Sequence, residues 1–390
     1  MTLAMRREKE GPGSGTTINS RTKRACVLRG ICGSVVLSFT VDYFTKMTDA
    51  LSADSLSFKE TTLSEYSQTL VHSFRKTTRF YACFHIIFAL LAFAEFFALA
   101  VFFSFWIASS TIAFLLAAIF LTGFSYFVLL FYFQVKKPQQ LLEFRRIYLE
   151  ACRSVLMAQT EMSMYHLSVA HAIYRTTEAL DCMECDYYRL PVNWPTLQTL
   201  LRKFSIFCHW KDVLLMKELL LQEAINEHIA LIKEEPVDLE AHASLGESYT
   251  RLAAIYQNPS QRASEEEAKD LFPWISPEFS SDGMQKKWRL AYARAIEEFL
   301  IIDAFAPNDP WVHAQLAGIY HELGEPKKES EEYETILRIV PEDKAALFKL
   351  GVLYFQEGHT AKGLEIYQKL KQARDPYSEK LLEFYDAFQA

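Results

Sequence analysis

Two groups of side chains have types that could do chemistry. Cys182-Met183-Glu184-Cys185 sets two thiols in a CxxC, and Cys208-His209 adds a third thiol and an imidazole downstream. A structural zinc site draws four such donors around a tetrahedral ion, usually as two spaced pairs. Cys208 and His209 are adjacent rather than spaced, and no redox-type fold pattern surrounds the CxxC. These residues therefore read as buried thiols, with no metal and no cofactor. The second group is Glu95 alone, the one acid in a run from Phe80 to Val135 that holds no Lys or Arg. A charged acid at the centre of a bilayer costs about 2.5–3.5 kcal/mol, so this carboxyl is expected to be protonated or partnered. It could serve as a proton or ion site, or bond a neighbouring helix. With no other Asp, Glu, Lys or Arg in the run, the second role fits better. His166 and His171 read as surface or core residues, and the acids of Glu329 to Glu334 as a solvated helix face. There is no P-loop, no GxGxxG after a strand, no GxSxG and no HExxH, so no enzyme is expected.

The run that holds Glu95 dictates the setting. Its Phe, Leu, Ala, Ile and Val content is long enough for two spans at about 20 apolar residues each. They are placed at Phe84 to Phe105 and Ile112 to Phe133, with a tight turn near Ser109-Ser110-Thr111. Arg75, Lys76 and Arg79 precede the first, and Lys136, Lys137, Arg145 and Arg146 follow the second. This basicity puts both ends on the same, cytosolic-type face. Trp106 falls near the turn, with Tyr81 and Tyr132 near the opposite interface. The hairpin is also where a homo-oligomer would form.

The whole chain has 390 residues and a net charge of −7, without the basic face that a nucleic-acid binder would show. Seven scattered cysteines, Cys26, Cys32 and Cys83 among them, suggest reduced thiols in a cytosol-like compartment. Residues 1–79 read as a polar leader. It holds a flexible Gly11-Pro12-Gly13-Ser14-Gly15 stretch, basic residues Arg21 to Arg29, and an apolar run from Ile31 to Val41 that is too short to span. That run fits a signal peptide except for its missing cleavage site, and Met47 is an alternative start to Met1. Thr48 to Thr78 is Ser/Thr-rich and expected to lack regular structure.

After the hairpin, residues 136–210 carry apolar positions at helical spacing and read as a helical connector, broken at Leu190-Pro191 and Trp194-Pro195. From 211 to 390 the chain repeats itself. Pro307, Pro341 and Asp375-Pro376 keep a period of 34 residues, and Leu350-Gly351 with Tyr354 echoes Leu245-Gly246 with Tyr249. Ala317, Tyr320, Tyr333, Gly363 and Tyr367 fill matching places. This region resembles the tetratricopeptide repeats (TPR), in which small residues let paired antiparallel helices approach. Lys211 to Glu234 looks like the second helix of a degenerate unit. A split unit holds an insert near 254–290, with Phe272, Trp274 and Phe279 either capping the stack or binding a partner.

The resemblance implies an all-α fold: hairpin, connector and an α-solenoid with a groove. First-helix positions that would line the groove are Trp311, Ala314, Gly318 and His321, then Ala345, Phe348, Val352 and Phe355. The split unit would supply Glu240, Ala243, Glu247 and Thr250. None of the twelve is Lys, Asn or Arg, so a clamp for a terminal carboxylate is not expected, and an apolar peptide or helix is the better ligand. The expected function is a membrane-anchored scaffold that captures a protein or peptide partner. Two apolar lobes behind a Ser/Thr-rich leader also resemble, in hydropathy alone, the chlamydial inclusion membrane proteins. That likeness would make the chain a secreted bacterial effector in a host-derived membrane. The rival readings are an assembly factor of a bacterial inner membrane and a small oligomeric channel built on Glu95.

Overall fold

The structure is a computed structural model and describes residues 53–104, 109–157, 162–181, 183–185, 187–188, 195–257 and 276–389. Met47, Cys26, Cys32, Trp106, Cys182, Phe272 and Trp274, all singled out from sequence, fall outside these residues. All regular structure among the described residues is helical.

The chain begins with two long helices, α1 (Ala53–Ser104) and α2 (Ser109–Leu156), packed side by side. Both are long and apolar enough to cross a membrane, and neither buries its most apolar window inside the protein. At 1.5 Å per residue α1 is about 78 Å long, far beyond a hydrocarbon core of about 30 Å. Its first half is therefore something other than a span. Leu70 and Phe74 bury there against Leu141, Tyr148, Leu149 and Cys152 of α2. This corrects the expectation of an unstructured leader for Ala53 to Arg79. The Ser and Thr residues that suggested disorder sit on a helix whose apolar face has found a partner. Pro138 lies inside α2, so the helix runs on through the place where a connector was expected to begin.

The core that Leu70 and Phe74 enter continues into α3 (Met162–Ala179) and α4 (Pro195–Glu234). Val169, Ile173, Val213, Met216, Leu220 and Ala224 complete it. Thus the boundaries expected at 79/80, 135/136 and 210/211 each cut a continuous helix. In particular, Lys211 to Glu234 is not a separate repeat helix but the second half of the 40-residue α4. Apolar periodicity marks the face of a helix and cannot show where a long helix was divided.

Beyond α4 the helices are shorter and each packs on its neighbours in sequence: α5 (Leu239–Tyr256), the one-turn α6 (Ser276–Phe279), α7 (Asp282–Phe305), α8 (Pro310–Leu323), α9 (Pro326–Ile339), α10 (Lys344–Gln356), α11 (Thr360–Gln372) and α12 (Tyr377–Gln389). The pairs α5·α7, α8·α9 and α10·α11 make the closest contacts. Four of these helices start the same way. Asp238, Asp309, Asp343 and Asp375 each accept a hydrogen bond from the backbone N–H two residues on, at 2.9–3.0 Å. Such caps satisfy helix N–H groups that have no partner within the helix. Close pairing is set by glycine. A Cβ on Gly246 would lie 2.9 Å from the Phe299 ring, and one on Gly351 would lie 2.8 Å from Leu381.

Candidate functional site

Two polar contacts bridge the apolar halves of α1 and α2. The Thr122 hydroxyl donates to Glu95 Oε1 at 2.6 Å, and His85 Nδ1 lies 3.2 Å from the Tyr126 hydroxyl. Thr122 and Tyr126 are one turn apart and share a face of α2, which is why both can meet α1. The second carboxylate oxygen of Glu95 is buried without a bond. Aromatic rings close the seam toward the polar end, where Phe84 packs edge-on to Phe133 at 4.7 Å and parallel to Tyr126 at 5.8 Å. Elsewhere the two helices present bare apolar side chains, with Phe97 64% and Phe120 75% exposed. Sequence alone does not mark His85, because nothing in the spacing of the run sets it opposite Tyr126.

Where the hairpin leaves its apolar zone, a knot of polar side chains locks α1, α2 and α4 together. Lys137 pairs with Asp212 at 2.6 Å, and Tyr81 donates to Gln140 at 2.7 Å. Thr78 donates to the Tyr187 hydroxyl at 3.0 Å, while Arg79 donates to the Tyr187 carbonyl at 2.6 Å. The Tyr187 ring stacks on His209 at 3.9 Å, and His209 Nε2 lies 3.1 Å from the Tyr188 hydroxyl. Burial first, then the cations of Lys137 and Arg79, pull the His209 pKa down to about 4, so the ring is neutral. Burial likewise raises the Asp212 carboxyl, against the pull of Lys137.

A second buried network joins α3 to α4 and α5. Glu227 receives Arg153 at 2.6 Å and faces His166 at 2.6 Å. Tyr174 bonds both His228, at 2.9 Å, and Ser248. Burial lowers the His228 pKa to about 4. His166 is thus a core residue that meets a carboxylate.

Among the described residues no cysteine forms a disulfide. Cys185 lies beside Ile206 and Trp210, and Cys208 is half-buried, its pKa pushed up to about 11 by burial. His209 is taken up by the two tyrosines. Among the described residues no three His, Cys, Asp or Glu side chains come together as a metal site.

The residues expected to line a groove are mostly engaged in packing. The Trp311 ring meets Phe299 edge-on at 5.8 Å. Phe348 stacks on Tyr377 at 5.0 Å and touches Phe384, and Phe355 is buried against Tyr385 at 5.0 Å. Tyr377, Phe384 and Tyr385 all belong to α12, so the last helix covers this side of α10. Ala314 and Val352 are half-buried beside the same core, whereas His321 is open and pairs with Glu329 at 3.1 Å. Of the insert, Phe279 is buried against Ile206 and Trp210.

One recurring contact was missed. His242 lies 2.7 Å from Glu298 and 3.2 Å from the Pro236 carbonyl, and His313 lies 2.7 Å from Glu332 and 3.3 Å from the Pro307 carbonyl. Each histidine fastens the turn before its helix to the following helix of its pair. The spacing Pro-x-Asp-x-x-x-His occurs at both places and carried the signal.

No protein-family model matches the chain, and no curated protein is similar to it.

Proposed function

We propose that the protein is a membrane-anchored scaffold whose C-terminal helix pairs form a TPR-type solenoid that captures a protein partner. The observation that carries this reading is the shared corner of the helix pairs. The same Asp cap opens α5, α8, α10 and α12, and the same Pro–His–Glu clasp recurs in the α5/α7 and α8/α9 pairs. Stacked units of this kind expose a long curved surface without any catalytic constellation. In this reading α1 and α2 span a bilayer with both ends on one face. Glu95 serves as an internal clasp of the hairpin through Thr122 rather than as an ion site. The partner contacts the open side of α8 and α10, where His321, Gly318, Ala345 and Lys349 are exposed. Trp311, Phe348 and Phe355 hold the stack together beneath.

The test is photo-crosslinking in the source cell, using the full chain with benzoyl-phenylalanine in place of His321. A discrete protein adduct is expected, with none when the same group replaces Asp282 at the solvent-exposed start of α7. Adducts at both positions, or at neither, would overturn the assignment of this face.

A further inference from the structure

The helices after α7 stack by one rule, and α12 breaks it. Helix α8, the first of its pair, meets the preceding pair mainly through its second helix, α7, and α10 likewise through α9. α12 instead lies mainly on α10, itself the first helix of a pair. Tyr377 and Phe384 meet the Phe348 ring at 5.0 and 6.2 Å, Leu381 fills the space over Gly351, and Tyr385 meets Phe355 at 5.0 Å. The four α12 residues follow i, i+4, i+7 and i+8, and their three partners on α10 follow i, i+3 and i+7. Both spacings mark a single helix face, so one amphipathic helix is laid along another. Phe348 and Phe355 stand 34 residues after Ala314 and His321. The face that α12 covers therefore continues the side of α8 on which His321 is open.

The seat of α12 is shallow. α8 and α10 each bury six residues. Among the α12 side chains described, from Tyr377 to Tyr385, only Ser378 and Leu381 are buried, and Phe384 stays 43% exposed. The turn that leads into α12 is strained as well. After α8 and α10 the left-handed region is held by Gly324 at φ 70° and Gly358 at φ 79°, whereas after α11 it is held by Arg374 at φ 53°. A side chain in this region crowds the backbone, which glycine avoids.

We propose that α12 is a built-in occupant of the partner surface, and that an amphipathic helix of the partner takes its place on α10. The partner helix would present an aromatic residue, a leucine and two further aromatics at the spacing of Tyr377, Leu381, Phe384 and Tyr385. This rests on the reading that the solenoid captures a protein partner. The exchange replaces one set of apolar contacts by a like set, so the stack keeps its core while Arg374 relaxes. A helix held through a short turn competes at an effective concentration of about millimolar, so α12 sets the threshold for capture.

The full chain, reconstituted in phosphatidylcholine vesicles, is titrated with a fluorescent peptide that copies Asp375 to Gln389 and carries benzoyl-phenylalanine in place of Phe384. Tyr377→Ala and Leu381→Ala each weaken the seat of α12 and leave α10 unchanged. Both should raise peptide affinity at least about tenfold over the parent, because apparent affinity follows the population of the free face. Illumination should then join the peptide to α10. Circular dichroism establishes that each variant is folded, and Tyr377→Ala, which alters a half-buried residue, decides the matter if Leu381→Ala unfolds. Equal affinity in the parent and the folded variants, no binding, or adducts on other helices would overturn the proposal. The cell adduct at His321 should also rise several-fold in Tyr377→Ala. That adduct in the parent without any gain in peptide affinity would overturn this proposal alone. A gain in peptide affinity with no cell adduct in either chain would overturn the partner reading, and with it the assignment of this face to a partner.

Discussion

Lys137 Nζ meets Asp212 Oδ1 at 2.6 Å, across the two helices that rise together from the edge of the apolar hairpin. Asp212 is only 7% exposed, and its second oxygen has no bond, so the carboxylate depends on this one cation. Removing one partner of a buried pair leaves the other charge uncompensated. Lys137→Met should therefore lower stability by about 3 kcal/mol, while Lys137→Met with Asp212→Leu should return to within about 1 kcal/mol of the parent. Unfolding in detergent measures both. A single variant as stable as the parent would show that the pair does not hold α2 to α4.

Stability should fall on mild acidification. His209 and His228 have folded pKa values near 4, below the ordinary 6.5, because both rings are buried. Above pH 6.5 neither state binds the proton. Between pH 6.5 and 4 the unfolded chain takes it up and the folded one does not, so each histidine lowers stability as pH falls, by up to about 3 kcal/mol. Asp212, raised in the fold, has the opposite sign and offsets part of this at the acid end. His209→Phe keeps the ring that stacks on Tyr187 and should flatten the midpoint-versus-pH curve between pH 7 and 5. An unchanged slope would locate the titrating groups elsewhere.

The hairpin clasp predicts a small but specific effect. Thr122→Val preserves shape and removes the hydroxyl that donates to Glu95, costing about 0.6–1.7 kcal/mol, the range for hydrogen bonds between membrane helices. Thr122→Ser should retain most of the bond. Unfolding of the reconstituted protein by detergent titration distinguishes them. A loss in the Ser variant with none in the Val variant would point to packing of the methyl group rather than the hydrogen bond.

How much could be read from sequence depended on the kind of signal. The apolar run around Glu95 and the glycines Gly246 and Gly351 announced two long helices and close helix contacts, because bilayer thickness and backbone approach constrain composition directly. The course of α4 was hidden. A helix continued from Pro195 through Lys211 carries no mark at the middle, and the cations that fasten it, Lys137, Arg145 and Arg153, pair with acids far along the chain. The fate of Phe348 was equally unreadable. A half-apolar helix face looks the same whether it awaits a partner or is covered by α12, and only the tertiary contact with Tyr377 decides.

The closest test of helix pairing is Gly351. Its missing Cβ makes room for Leu381 of α12, which is fully buried. Gly351→Ala places a methyl group 2.8 Å from Leu381 Cδ2, which must shift, and 3.2 Å from Ile366 Cγ2, which must give by a few tenths of an ångström. Against this, alanine gains about 1 kcal/mol of helix propensity over glycine. Overpacking costs about 1–3 kcal/mol, so the clash should win and the net loss should be about 1 kcal/mol. Leu381→Ala alone opens a cavity at a cost of about 2–5 kcal/mol. In the double variant the added methyl partly fills the space that the leucine leaves, so the combined loss should be smaller than the sum of the two single losses. Chemical denaturation of the four proteins gives that coupling. Strict additivity would mean that α12 does not pack on Gly351, and that the last helix does not close the end of the stack.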